Sequence, residues 1–204
     1  MDCVRELLTR GVVVELSSHG QTLVHATAVK GDVATLQMLM DCAAAGGADL
    51  SAVWTMQNSE GDTPLTLAAW KGISACVSLL LRVGPEAFLV ADKNNSRTPV
   101  HWAAESGHEA TLQVLADHAA AGCTAAGGAD RSSVWTMQDS MGDTPLLLAL
   151  KNGSSTCVSL LLRVGPAAFR VADKRNSRTP VHWVAANGDE ATLQVLADHA
   201  AAGG

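Results

Sequence analysis

Apolar residues recur along the chain at helical spacing, in pairs of short segments. In one pair, Val100, Ala103 and Ala104 stand at positions i, i+3 and i+4, which places them on one face of a helix. After a few polar residues, a second apolar set supplies the buried side of a longer helix: Ala110, Leu112, Val114 and Leu115. The pattern predicts a helical hairpin, and similar pairs follow one another along the chain.

Capping residues mark the expected helix ends. Thr98 can accept a hydrogen bond from the first turn, and Pro99 fits that turn because its missing N–H has no partner there. Gly107 and Gly122 are expected to end the first and the second helix. Each unit is therefore predicted to contain a turn, a short helix, a tight link, a longer helix and a loop.

The chain repeats itself on two length scales. Residues 52–122 return at 133–203, and 55 of these 71 positions are identical. Thr-Pro also recurs within each copy, and a period of about 20 to 50 residues indicates a stacked repeat array. We expect residues 1–204 to form a single domain with a half unit at 1–19, full units near 20–50, 61–91, 96–130, 142–172 and 177–204, and extended loops near 46–58 and 122–139.

Composition narrows the classes of partner and compartment. The formal net charge is −6 and no basic run occurs, which argues against nucleic-acid binding. No signal segment or membrane-spanning stretch is recognisable, so we expect an intracellular protein, cytoplasmic or nuclear, without membrane insertion.

The five cysteines form no CxxC pair. Cys76 and Cys157 hold equivalent places in the two copies and are predicted to be buried thiols.

Three segments resemble the ankyrin repeat, whose core pattern is G-x-T-P-L-H-x-A-A-x-x-G-H. They are GDTPLTLAAWKG at 61–72, SRTPVHWAAESGH at 96–108 and SRTPVHWVAANGD at 177–189. The resemblance implies an all-α fold, a helical repeat solenoid of about five turn–helix–helix repeats after an N-terminal half repeat. Two units depart from the pattern, because Thr66 and Leu147 stand where the family usually has His.

The resemblance also implies structural roles. His25, His101 and His182 occupy the family's histidine position, where the ring hydrogen-bonds neighbouring backbone and ties repeats together. Trp54 and Trp135 lie in the extended loops beside apolar residues, and we expect both to fill the core. All five residues are therefore predicted to be structural.

Members of the family bind ligands through turn tips and first helices, which line a concave groove. Of the twelve positions at tips and on the groove side of first helices, six differ between the two copies. Of the other 59 aligned positions, 10 differ, so the groove residues have diversified more than the rest of the repeat. Trp70, Trp102 and Trp183 lie at groove positions and are expected to anchor a ligand. The alternative is that these three side chains only pack on neighbouring repeats. The predicted partner-binding residues are Glu60, Asp62, Trp70, Lys71, Arg97, Trp102, Glu105, Met141, Asp143, Lys151, Asn152, Arg175, Arg178, Trp183 and Asn187.

No arrangement of residues points to catalysis. The sequence has no nucleophile with a base at fixed spacing, no glycine-rich phosphate loop, no paired catalytic acids and no metal-ligand spacing. We predict a non-catalytic scaffold or adaptor, without cofactor or metal, that binds a partner protein or peptide. The alternative is a regulatory or targeting module of a larger protein, such as a ubiquitin-ligase adaptor, a kinase or a channel. Because the last repeat lacks a polar cap, self-association through that repeat is also considered.

Overall fold

The computed structural model describes residues 19–44, 51–124 and 131–201, and these form ten α-helices and no strand. The expected all-α repeat architecture is confirmed. The predicted half unit falls almost wholly outside the described residues, as do parts of both extended loops. The helices pair as five hairpins: α1 (Leu23–Lys30) with α2 (Val33–Ala44), α3 (Pro64–Lys71) with α4 (Ser74–Val83), α5 (Pro99–Glu105) with α6 (Glu109–Thr124), α7 (Pro145–Asn152) with α8 (Ser155–Val164), and α9 (Pro180–Asn187) with α10 (Glu190–Ala201).

The hairpins stack in two layers. The first helices pack on one another in the order α1, α3, α5, α7 and α9, and the second helices follow in the order α2, α4, α6, α8 and α10. Ala68, Ala103 and Ala149 are fully buried in the first helices, where small side chains allow the close approach of neighbouring helices. Leucines such as Leu115 and Leu161 fill the space between the layers. A continuous core therefore runs through the array.

Local chemistry explains most helix ends. A threonine stands at the start of every first helix. In α1, α3 and α7 its side chain accepts a hydrogen bond from the N–H three residues later, and in α5 and α9 its hydroxyl contacts Nδ1 of the histidine three residues later. Gly72 ends α3 with φ at 74°, and its N–H donates to the carbonyls of Ala68 and Ala69. The predicted stop at Gly122 is wrong, because α6 continues to Thr124. The surrounding alanines favour helix, and one internal glycine costs only about 1 kcal/mol.

Short 3₁₀ helices complete the repeats. Two of them, Ser51–Trp54 and Ser132–Trp135, lie in the extended loops and carry tryptophans that are only 4% exposed within the core. Two more follow α4 and α8, at Pro85–Leu89 and Pro166–Arg170, and the sequence pattern did not predict them. A methyl group at Gly84 would lie 2.9 Å from Cβ of Trp54, so the glycine leaves room for the first carbon of that side chain.

The two cysteines at equivalent places are buried, as predicted. Cys76 in α4 and Cys157 in α8 are fully enclosed, and burial raises the pKa of both thiols. They therefore behave as small apolar groups. Of the helices described, none combines the length and the apolar character needed to cross a bilayer.

Candidate interaction surface

The turn tips and the first helices together form one surface, which we call the first-helix face. Hydrogen bonds join the tips of the second, third and fourth units. The N–H of Lys93 donates to the carbonyl of Glu60 at 3.1 Å, and the N–H of Ser140 donates to the carbonyl of Asn95 at 2.8 Å. Because these bonds run from backbone to backbone, they fix the spacing of the tips whatever side chains the tips carry.

One polar side chain shapes each of two tips. Oδ1 of Asn58 accepts the N–H groups of Glu60 and Asp62 at 3.0 and 2.9 Å. Asp139 makes the same pair of bonds in the second copy. The residue type changes between the copies while the turn stays the same, so the second oxygen of Asp139 is available for another partner.

His101 links its own unit to the next one. Its Nδ1 accepts the N–H of Thr98 at 3.2 Å, so Nε2 carries the proton and donates to the carbonyl of Met137 at 3.0 Å. The ring is fully buried. Loss of hydration on burial lowers the pKa of His101 to about 4, so the ring is neutral at pH 7.

The other two histidines differ in what covers them. His25 bonds Thr22 in the same way, and its Nε2 contacts the carbonyl of Asp62 at 3.1 Å in the next unit. His182 keeps the local bond to Thr179, but its ring is exposed because no further unit packs on it within the described residues. The cross-unit contact therefore exists for two of the three predicted histidines.

A pair of tryptophans dominates the first-helix face between the second and third units. Trp70 is 44% exposed and stands edge to face with Trp102, with ring centroids 6.5 Å apart. Nε1 of Trp102 donates to the buried carboxylate of Asp92 at 3.0 Å, which fixes the ring. Nζ of Lys71 lies 4.2 Å from the Trp70 ring centroid. The tryptophans thus both pack on each other and reach solvent.

Arg97, one of the predicted partner-binding residues, is only 8% exposed. Its Nη1 bonds Glu105 at 2.6 Å, and its Nε bonds Asp139 of the next unit at 2.9 Å. The guanidinium also lies over the Trp102 ring, 5.0 Å from the centroid. Arg97 therefore uses its donors within the array and joins two units. Glu105, also predicted to face a ligand, is half-buried beside it.

Asp143 is buried too, contrary to the expectation of an exposed tip residue. One of its carboxylate oxygens accepts from Nζ of Lys151 at 2.5 Å. That ammonium lies 4.5 Å from the Trp183 ring centroid, and the guanidinium of Arg178 lies 5.5 Å from the same centroid. Nε1 of Trp183 donates to Asp173 at 2.9 Å, the counterpart of the Trp102 bond.

The remaining predicted residues lie at or near the surface of this face. Glu60 is exposed and accepts from the side-chain amide of Asn94 at 2.5 Å. Met141 is half-buried. The others are exposed: Asn152, Arg175 and Asn187.

Sequence reasoning missed two aspartates that organise the site. Asp92 and Asp173 are buried, and each holds the indole N–H of a tryptophan ten positions later. The recurring ADK-x-NSR segment, at 91–97 and again at 172–178, was the available signal. Only the folded turn brings each carboxylate to its indole. Among the residues the structure describes, no group of His, Cys, Asp and Glu side chains is arranged to hold a metal ion.

Comparisons with known proteins agree with this architecture. The family model described as ankyrin repeats in three copies matches residues 49–127 and 123–203. The chain belongs to the ankyrin repeat family. Ankyrin repeats in general mediate protein–protein interaction.

Individual relatives are much longer than this chain. It is 28% identical to human inversin over 86% of its own length and 14% of that protein. It is 32% identical to the putative E3 ubiquitin-protein ligase XBAT31 of Arabidopsis thaliana over 71% of its length and 29% of that protein. Its fold is similar to the crystal structure of the ankyrin repeat domain of Bcl-3, described as a unique member of the IkappaB protein family. That match has a TM-score of 0.72 and 26% identity, and it covers 89% of this chain and 73% of the other.

Proposed function

We propose that this chain is a scaffold or adaptor module that binds a segment of a partner protein along the first-helix face. The observation that carries the proposal is the exposed Trp70, which stands on a face held rigid by hydrogen bonds from tip to tip. Exposed tryptophans are frequent energetic centres of protein interfaces. A rigid face also limits the ordering cost of binding.

Affinity capture from source cells tests this proposal. Trp70→Ala removes the exposed ring, and Ser78→Ala on the exposed side of α4 is the matched control. We expect a partner retained by the native chain and by Ser78→Ala to be lost by Trp70→Ala, with all three chains equally folded by circular dichroism. A partner retained equally by all three would place the binding site elsewhere.

A second candidate is that the repeats serve as a targeting or regulatory module inside a larger protein. The observation that favours it is the small share of inversin and XBAT31 that the chain matches. An immunoblot of source cells measures the size of the native product. A band near the 21.1 kDa of this sequence would contradict the candidate, and a much larger band would support it.

Self-association through the last described repeat has its own supporting observation. Val181 and Leu193 are each 41% exposed, whereas their counterparts Val100 and Leu112 in the third unit are fully buried under the fourth. Sedimentation velocity over a range of concentrations tests it. A size that rises with concentration and falls in Leu193→Glu is expected; a constant monomer would contradict it.

A further inference from the structure

The two copies offer an internal comparison of one place on the first-helix face. In the second copy the acidic tip residue Asp143 is followed eight positions later by Lys151, whose ammonium contacts both the carboxylate and the Trp183 ring. The same copy therefore contains a bound ammonium group, supplied by its own chain.

The first copy keeps two of these three groups and lacks the third. Asp62 corresponds to Asp143 and Trp102 to Trp183, but Trp70 replaces the lysine. Within the part of the chain that the structure describes, no cationic side chain forms an ion pair with Asp62. A cavity of about 160 Å³ remains there, lined by Asp62, Thr66, Leu67, Trp70 and Trp102.

The third unit contains an ion pair at the same two positions, a tip residue and the residue eight places later, with different residue types. There the tip residue is Arg97, and the residue eight positions later is Glu105, so the charges are reversed and still complementary. Two adjacent units thus satisfy the charge of the tip internally. Asp62 lacks such a partner, since the residue at the matching place is Trp70.

The chemistry of the cavity favours a cation. Asp62 is half-buried, and loss of hydration together with the neighbouring charges of Asp92 and Glu60 raises its pKa. An incoming positive charge would stabilise the ionised carboxylate. Tryptophan rings attract cations as well, as Lys71 over the Trp70 ring and Arg97 over the Trp102 ring already show in this chain. An apolar or acidic side chain gains neither of these interactions.

We propose that this cavity binds the ammonium group of a lysine side chain from the partner segment, with Asp62 as counter-ion and the two tryptophans as walls. The proposal rests on the function proposed above and names the chemistry that the partner must supply. Lys71 is not among the residues that line the cavity, and its ammonium, which lies over the Trp70 ring, forms no ion pair with Asp62 within the described residues.

Two short probes test the proposal by NMR. The first is acetyl-Gly-Lys-Gly-amide; the second replaces lysine by norleucine, which has the same stem without the charge. Titration is followed by the indole N–H signals of Trp70 and Trp102. We expect saturable shifts with the lysine probe, at a dissociation constant on the order of millimolar, and none with the norleucine probe. Equal shifts with both probes, or none with either, would overturn the proposal.

Three variants place the effect at the cavity. Asp62→Asn should weaken the lysine probe about tenfold or more, whereas Glu60→Gln, which removes a nearby exposed charge, should weaken it less than about threefold. Trp70→Lys introduces the residue that the second copy carries at the equivalent position, Lys151. Since the second copy folds with that lysine, we expect the variant to fold and its new ammonium group to pair with Asp62, which leaves no site for the probe. Unchanged binding to Trp70→Lys would contradict the proposal.

The capture experiment keeps the two proposals separable. A partner that requires Trp70 but binds equally to native and Asp62→Asn chains, with no probe binding, would refute the lysine site and leave the interaction function standing. Probe binding without any partner dependent on Trp70 would support the cavity and count against the function as proposed.

Discussion

Replacing His101 by threonine isolates the bond between neighbouring units. The second unit carries Thr66 at this position, and its hydroxyl lies 3.0 Å from that of the capping residue Thr63. A threonine at position 101 should therefore keep the hydroxyl contact at the helix cap. It loses the bond from the N–H of Thr98, a loss that the equivalent substitution of His182 shares, and the cross-unit bond to the carbonyl of Met137, which only His101 makes. The retained hydroxyl contact makes the substitution more specific than truncation to alanine.

The expected loss in the free energy of unfolding is the sum of two costs, an unpaired carbonyl and an empty space. An unpaired buried carbonyl costs about 1–3 kcal/mol, and the space vacated by a fully buried ring adds on the order of 1 kcal/mol. We expect His101→Thr to lower the free energy of unfolding by about 3 kcal/mol. His182→Thr is the matched control, since His182 is exposed and keeps only the bonds to its own Thr179. Its cost should stay below about 0.5 kcal/mol.

Urea unfolding followed by far-ultraviolet circular dichroism measures both variants. The comparison is valid if the slope of the transition is unchanged, because repeat arrays can unfold in parts. Equal destabilisation by the two substitutions would show that the contact with the next unit contributes nothing, and the reasoning would be refuted.

Three further predictions concern pH, an ion pair and a core side chain. The pKa of His101 is about 4 in the folded protein against 6.5 in the unfolded chain, so its contribution to stability is fully present above pH 6.5 and is lost as pH falls towards 4. Between pH 8 and 5, the free energy of unfolding measured in urea should fall by about 2 kcal/mol more for the native protein than for His101→Thr. Parallel pH profiles for the two chains would refute the assignment. Arg97→Gln leaves the buried carboxylate of Asp139 without a cation and should lower the free energy of unfolding by about 3 kcal/mol. Adding Asp139→Asn in the same chain should recover a large part of that loss, because the first copy carries Asn58 at the equivalent position. Additive losses in the double variant would contradict the pairing. Trp135→Ala should cost about 3–5 kcal/mol in thermal or urea unfolding, and a loss under 1 kcal/mol would show that the ring is not part of the core.

The hairpins could be predicted because their signals are local. A threonine, a proline and a glycine at fixed spacing set the ends of α3 and α7 through contacts within four residues. The same local logic explains the error at Gly122, where a glycine alone does not stop a helix when the flanking residues favour it.

The partners of the charged tips could not be predicted from a residue and its neighbours. Arg97 is buried because it meets Asp139, 42 positions away, when the third and fourth units stack. Trp102 is fixed by Asp92 only when the preceding turn folds back on the helix. Side chains selected as ligand contacts because they occupy tips therefore divide into those used within the array and those, such as Trp70, that remain exposed.

Photo-crosslinking from two positions tests the central claim most directly, that the first-helix face holds the partner. A benzoyl-phenylalanine replaces Lys71 at the end of α3 in one chain and Ser78 on α4 in another; both residues are exposed and belong to the same unit. Irradiation in source cells should yield a discrete adduct from position 71 and little from position 78. Adducts only from position 78 would contradict the account and move the binding surface to the second helices.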